Sequence, residues 1–115
     1  MSFHDRMLQL ASRIAVLRKD KRAFRLGAVG IRKDGTIVSS CNSPNTEPNV
    51  HAHAEAKLVR KLDQGSTVYV VRISREGTWA CAKPCYECLM LMNSKRVRQV
   101  FWSETEGYQC RVLWP

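Results

Sequence analysis

The sequence predicts an α/β fold, a three-layer α-β-α sandwich with a five-stranded mixed sheet. Helical and β-branched apolar segments alternate along its 115 residues, and such alternation places helices on both faces of one sheet. This length fits a single domain, residues 1–115. The last two predicted strands are joined by a turn too short to hold a helix, so we expect them to pair antiparallel.

The predicted elements run in the order α-β-β-α-β-α-β-β. Residues 2–18 carry apolar side chains at spacings of three and four, which is typical of a helix with one buried stripe. Two apolar segments on either side of Asp34–Gly35 predict a β-hairpin. The polar, Pro-containing segment 41–50 is expected to be a loop of the kind that often carries binding residues.

The second half of the chain supplies the remaining helices and strands. Residues 51–62 have a helical apolar stripe, and Gly65 follows as a helix stop. The β-branched segment 67–73 predicts a central strand. Pro84 suits the start of a helix over 85–94, because a backbone N–H there would have no helical partner. Two further strands are predicted at 97–102 and 108–114.

Basic residues outnumber acidic ones, with 19 Lys and Arg against 10 Asp and Glu and a net charge of +9. Such a surplus favours anionic partners such as nucleotides, nucleic acid or acidic surfaces, and a solvated basic face explains it equally well. Seven of the basic residues lie between Arg18 and Lys33, with only Phe24 as an aromatic neighbour. This scarcity of aromatic side chains weakens a single-strand-binding interpretation, because such sites use stacking platforms.

Cysteine usage and hydropathy narrow the class of protein further. The chain has five cysteines, and three of them fall within eight residues, a pattern more typical of a metal site than of a disulfide framework. No apolar run approaches the roughly 18 residues needed to span a membrane. The N-terminal residues include charged side chains where a signal peptide would be plainly apolar, so we expect a cytoplasmic protein.

Two short motifs, each at the start of a predicted helix, carry the candidate chemistry: His53–Ala54–Glu55 and Pro84–Cys85–Tyr86–Glu87–Cys88. The two cysteines share one side of the first helical turn, where the helix N-terminus is expected to lower the thiol pKa. With the imidazole of His53 they make three ligands for Zn²⁺, which leaves a fourth position for water. Glu55 is then suitably spaced to take a proton from that water.

Motifs of the form H-x-E and P-C-x-x-C mark zinc-dependent nucleobase deaminases, and the chain resembles the cytidine/deoxycytidylate deaminase superfamily over most of its length. The resemblance implies a cytidine-deaminase-like sandwich in which His53, Cys85 and Cys88 bind zinc. It implies that Glu55 moves protons while a cytosine nucleoside or nucleotide is hydrolysed to the uracil product and ammonia. It also implies that Asn42 contacts the sugar and that the backbone N–H of Ala54 contacts the base carbonyl.

Three more residues complete the predicted substrate-binding set. Pro84 belongs to the second metal motif, Trp79 precedes it in the sequence, and Arg25 is a candidate for holding a phosphate. The substrate stays open, because His53 resembles the deoxycytidylate, tRNA-adenosine and editing branches whereas the expected antiparallel last strands depart from them. Superfamily members usually assemble, so the resemblance also implies a homo-oligomer.

Two other functions are consistent with the same sequence. An enzyme of this chemistry acting on cytosine or adenine in single-stranded DNA or RNA would explain the +9 charge. A non-catalytic zinc module that binds an acidic or nucleic-acid partner is the second alternative. Cys81 is a candidate fourth ligand for a closed structural site of that kind. Only the enzymes need Glu55, since a binding module has no use for a proton shuttle.

Overall fold

The computed structural model of the chain describes residues 2–17, 25–41 and 54–114. Within these ranges the bounds of the helices and strands are α1 Phe3–Leu17, β1 Arg25–Ile31, β2 Ile37–Cys41, α2 Ala54–Val59, β3 Thr67–Ile73, β4 Trp79–Ala80, α3 Tyr86–Ser94, β5 Gln99–Ser103 and β6 Tyr108–Val112. The predicted order of elements is confirmed, with the two-residue strand β4 as an addition. Across the described residues, no helix is long and apolar enough to cross a membrane.

The strands form one mixed sheet in the order β2-β1-β3-β5-β6, and β4 pairs with the end of β3 beside β5. Strands β3 and β5 are parallel. The hairpin β1–β2, the pair β1–β3 and the pair β5–β6 are antiparallel. The predicted α/β class and the antiparallel pairing of the last two strands are therefore confirmed.

Each face of the sheet has its own apolar core. On one face α1 contributes Leu8, Ala11 and Ala15, which pack against alternate residues of β1, β3 and β5 such as Val29 and Tyr69. On the other face α2 and α3 contribute Leu58 and Met92 to a core with the intervening strand residues. Because strand side chains alternate between faces, odd-numbered residues of β1 and β3 face α1 and even-numbered ones face α2 and α3.

The packing of α1 depends on one residue without a side chain. A Cβ atom on Gly27 would stand 2.1 Å from the carbonyl oxygen of Ala11 and 2.7 Å from the backbone nitrogen of Ala15. Glycine therefore lets the helix backbone approach β1 directly. This close contact holds α1 on its face and leaves the opposite face to the motif-bearing helices.

Candidate metal centre and active-site cleft

Ala54 and Glu55, the described residues of the first motif, form the start of α2 close to the end of β2. The hydroxyl of Ser40 donates a hydrogen bond to the carbonyl of Ala54. The Nζ of Lys57 donates a 2.9 Å bond to the carbonyl of Cys41. Glu55 is in the first turn of α2 and is buried, with only 5% of its surface exposed. The helix start is thus tied to the sheet, and the carboxyl group of Glu55 is held in the interior.

The second motif forms the start of α3. Cys85 is the N-cap residue, with an extended backbone, and its carbonyl accepts a 3.0 Å bond from the N–H of Leu89. Cys88 lies in the first turn and is fully buried, whereas Cys85 is exposed. The helix therefore begins one residue later than predicted, and its first turn presents one inner and one outer thiol.

The two motifs meet through their side chains. The thiol of Cys88 lies close enough to the Cys85 thiol and the Glu55 carboxylate for both groups to raise its pKa. Burial raises the pKa of Cys88, and the Glu55 charge raises it further. The expected lowering of the thiol pKa is therefore wrong for Cys88, because desolvation and the neighbouring carboxylate outweigh the partial charge of the helix end. Binding of a divalent metal ion would have to displace this proton.

The donor set fits a zinc ion. Two cysteine thiols close to a carboxylate are groups of the type that zinc prefers as ligands. Within residues 2–17, 25–41 and 54–114, no three His, Cys, Asp or Glu side chains are grouped to hold a metal ion. The predicted triad thus depends on His53, which lies outside the described residues. Among the described residues, Cys81 does not form a three-thiol cluster with Cys85 and Cys88.

A cleft of about 230 Å³ opens beside these groups. Its lining comes from β1, α2, β3 and the segment before α3: Leu26, Glu55, Arg72, Cys81, Ala82, Lys83 and Cys85. Glu55 is thus both buried and turned toward a space that a small molecule can enter. A buried carboxyl group, a thiol and two cationic side chains thus line one cavity that can admit a small molecule.

A buried serine holds the segment that leads to Cys85. The hydroxyl of Ser103 donates a 2.7 Å hydrogen bond to the carbonyl of Ala80 and accepts one of 3.1 Å from the backbone N–H of Arg72. Its own carbonyl accepts a 2.9 Å bond from Ala82. These bonds join β3, β4 and β5 just before the metal motif. Nothing in the sequence around Ser103 distinguishes it, because its role comes from strand neighbours that are distant along the chain.

The predicted substrate-binding residues fall in different places. Ala54 and Pro84, one in each motif, are buried, and Asn42 lies outside the described residues. Arg25 is not part of the cleft lining; its guanidinium donates to the carbonyl of Ser74, and strand alternation turns it toward the α1 face. Trp79 packs with the α1 core, and its indole N–H bonds the Ser12 hydroxyl on α1 at 3.2 Å.

Arg72 and Lys83 are the cleft cations that the sequence analysis did not select. Arg72 pairs with Leu26 across β1 and β3, so both residues share the cleft face. The sequence did contain a signal that could have selected Arg72, because it is the one charged residue in the otherwise apolar and β-branched segment Thr67–Ile73. Nothing in the sequence alone indicated which face of this strand would meet the metal motifs.

Comparisons with known proteins agree with this geometry. The family model described as the cytidine and deoxycytidylate deaminase zinc-binding region matches residues 1–104. A cytidine deaminase structure from Burkholderia pseudomallei is 18% identical with a TM-score of 0.67, covering 98% of this chain and 94% of that one. One from Mycobacterium tuberculosis is 19% identical with a TM-score of 0.61, covering 98% and 92%. No curated protein sequence matches the chain.

The structural likeness shows the fold, and the family model shows the kinship and the cofactor. The matched region is named for zinc binding and contains both motifs. Zinc is therefore the metal of this centre. The chain belongs to the cytidine and deoxycytidylate deaminase zinc-binding family.

Proposed function

We propose that this protein hydrolyses the exocyclic amine of a cytosine nucleoside or nucleotide, giving the uracil product and ammonia. The observation that carries the proposal is the position of Glu55. Its carboxylate is buried, lies close enough to Cys88 to raise the pKa of that thiol, and lines the cleft with Cys85. A non-catalytic zinc module has no need for an acidic side chain held between a thiol and an open cavity.

In the proposed reaction some residues bind the metal ion and Glu55 transfers protons. When held by His53, Cys85 and Cys88, zinc supplies Lewis acidity that makes water nucleophilic near neutral pH. Glu55 accepts the proton of the attacking water and delivers it to N3 of the ring. Attack at C4 forms a C–O bond. Glu55 then takes the second proton, from the new hydroxyl group at C4, and passes it to the amine, so that the C–N bond breaks as the C=O bond forms and ammonia leaves. The burial of Glu55 limits competing exchange with bulk water.

The cations of the cleft support a nucleotide as the substrate. Arg72 and Lys83 line the cavity beside Glu55, and guanidinium and ammonium groups are the usual partners of phosphate. We therefore propose a deoxycytidylate-type substrate in preference to the free nucleoside. Arg72→Ala and Lys83→Ala should raise KM for dCMP much more than KM for deoxycytidine. Arg75→Ala, in the exposed turn after β3, is the control and should change neither.

The central experiment measures ammonia release from cytidine, deoxycytidine, dCMP and dCTP, together with zinc content. Glu55→Gln should retain zinc and lose activity by about 10²–10⁴-fold, the usual effect of removing a general acid–base. Glu87→Gln changes the same residue type at an exposed position of the second motif and should be fully active. Activity that survives in Glu55→Gln, or zinc-loaded protein that releases no ammonia from any of the four substrates, would contradict the proposal.

A further inference from the structure

Among the described residues, the charge surplus is concentrated at the end of the sheet where β3 and β5 begin. We define the basic end as residues 32–36, 60–66, 95–98 and 113–114, which adjoin this edge. The basic end holds seven basic and two acidic residues, a surplus of five positive charges. All described residues together hold fifteen basic and eight acidic residues, a surplus of seven. The cleft lies at the other end of β3, about 20 Å away along a seven-residue strand. The charge of the protein is therefore not explained by the substrate cleft.

Part of this charge has a structural explanation. Helices α2 and α3 both end here, and the cations that follow them, Arg60, Lys61 and Lys95, offset the negative ends of the helix dipoles. Lys61 also donates to the carbonyl of Ser39, and Arg32 donates to the carbonyl of Lys61. Within the described part of the chain, Lys33 and Arg98 neither offset the end of a helix dipole nor donate a side-chain hydrogen bond to a backbone carbonyl. The positive charge of these two residues needs a different explanation.

Lys33 and Arg98 flank a hollow of about 260 Å³ that also includes Gln64, Gly65 and Trp114. The carbonyl of Arg98 accepts hydrogen bonds from the backbone N–H groups of Leu113 and Trp114 at 2.9 and 3.2 Å, which fixes the backbone of Trp114 beside that of the arginine. The indole is 37% exposed. The hollow thus combines two cations, an amide side chain and an accessible aromatic ring.

Arg96 adds a third cation at a cost in backbone conformation. Its φ of 56° lies in the left-handed region, at the position after a helix C-cap that normally favours glycine. Its guanidinium carbon lies 5.5 Å from the centroid of the Trp114 ring. The chain therefore has arginine where the backbone alone favours glycine, and this arginine faces the indole. A local conflict of this kind is often found at functional sites.

We propose that the basic end binds single-stranded nucleic acid, with Lys33, Arg96 and Arg98 contacting phosphates and Trp114 stacking on a base. Cations around an exposed aromatic ring are the combination that single-strand-binding surfaces use. A purely electrostatic polyanion site would not need the indole. The site is separate from the cleft and does not depend on the proposed deamination, so Glu55→Gln should bind as the natural sequence does.

The first test is fluorescence anisotropy with labelled oligothymidylate as a function of salt concentration. Two phosphate contacts account for about 1.4 units of slope in a plot of log K against log salt, or about 25-fold in affinity at 0.1 M. The double variant Arg96→Gly with Arg98→Ala should therefore have a salt slope smaller by about 1.4 units and an affinity about 25-fold lower at 0.1 M. The matched control, Arg6→Ala with Arg13→Ala on exposed positions of α1, removes the same charge. Equal weakening by the control pair would overturn the proposal.

Two single variants separate binding from structural roles. Arg96→Gly should keep or raise the melting temperature, because glycine suits the left-handed backbone, while it weakens oligothymidylate binding. A lower melting temperature with unchanged binding would show that Arg96 serves the fold and would overturn its assigned role. Trp114→Ala should weaken oligothymidylate binding at least about fivefold and leave heparin binding unchanged. An equal loss of affinity for oligothymidylate and for heparin would show that this surface binds polyanions in general, and it would overturn the proposal of a nucleic-acid site.

Discussion

Replacing Ser103 with alanine tests how the sheet holds the zinc-binding segment. The hydroxyl donates to the Ala80 carbonyl at 2.7 Å and accepts from the Arg72 N–H at 3.1 Å, in a fully buried position. Alanine removes this partner from both backbone groups, and an unsatisfied buried polar group costs about 1–3 kcal/mol. We expect the free energy of unfolding to fall by at least about 2 kcal/mol. This corresponds to a decrease of about 8 °C in Tm for a domain of this size.

The same substitution should weaken zinc binding. Ala80 begins the short segment that ends at Cys85, and releasing it lets the Cys85 thiol move relative to Cys88. We expect the Kd for zinc to rise about tenfold, the low end of the range for residues that support metal ligands. The Kd is measured by competition with a chromophoric chelator, at a temperature where natural and variant proteins are both folded. This readout does not depend on enzymatic activity.

Ser66 provides a matched control. It is also fully buried, donates to the carbonyl of Asp63 at 2.8 Å and accepts from the Asp63 N–H at 3.1 Å. Because it precedes β3, at the end of the sheet away from the cleft, Ser66→Ala should lower Tm comparably and leave the zinc Kd unchanged. An unchanged Kd in Ser103→Ala, or an equal rise in both variants, would refute the positioning role of Ser103.

Two further predictions concern the α1 face. Gly27→Ala should destabilise the protein by about 3 kcal/mol or more in urea unfolding, because the new Cβ would clash with helix backbone atoms at 2.1 and 2.7 Å. Gly77→Ala, with nothing within 4 Å, is its control and should cost only about 1 kcal/mol. Burial raises the pKa of Tyr69 from 10.0 to about 12. The stability that this shift contributes is complete below pH 10 and is lost as pH rises toward 12. Tyr69→Phe should therefore have a flatter stability profile across that window, and a parallel profile would contradict this explanation.

Local patterns were sufficient for most of the elements. The strand Thr67–Ile73 was predicted with its observed bounds, because a β-branched run between turn residues has few alternatives. The antiparallel pairing of β5 and β6 followed from the short turn between them. Strand β4 was missed, since two residues carry no periodicity and it forms only by pairing with the end of β3.

The candidate site, like the fold, was predicted from the sequence only in part. Spacing along the chain predicted that Cys85, Cys88 and Glu55 belong to one chemical unit, because each motif lies within a single helical turn. The structure places Glu55 on α2 near Cys88 on α3, and the roles of these residues stay predictions. Asn42 and His53 lie outside the described residues, and their roles stay predictions.

Short-range order along the chain was enough to predict most of the helices and strands and to select the two motifs that they carry, because these depend on neighbours within one turn or one strand. Packing decided three other features. It placed Arg72 and not Arg25 in the cleft, it made Ser103 a bridge between strands, and it gathered charge at the basic end. Each of these arises where strands distant in sequence become neighbours and a helix covers one face of the sheet. The physical reason is that alternation fixes which residues share a face, whereas long-range contacts determine what that face meets.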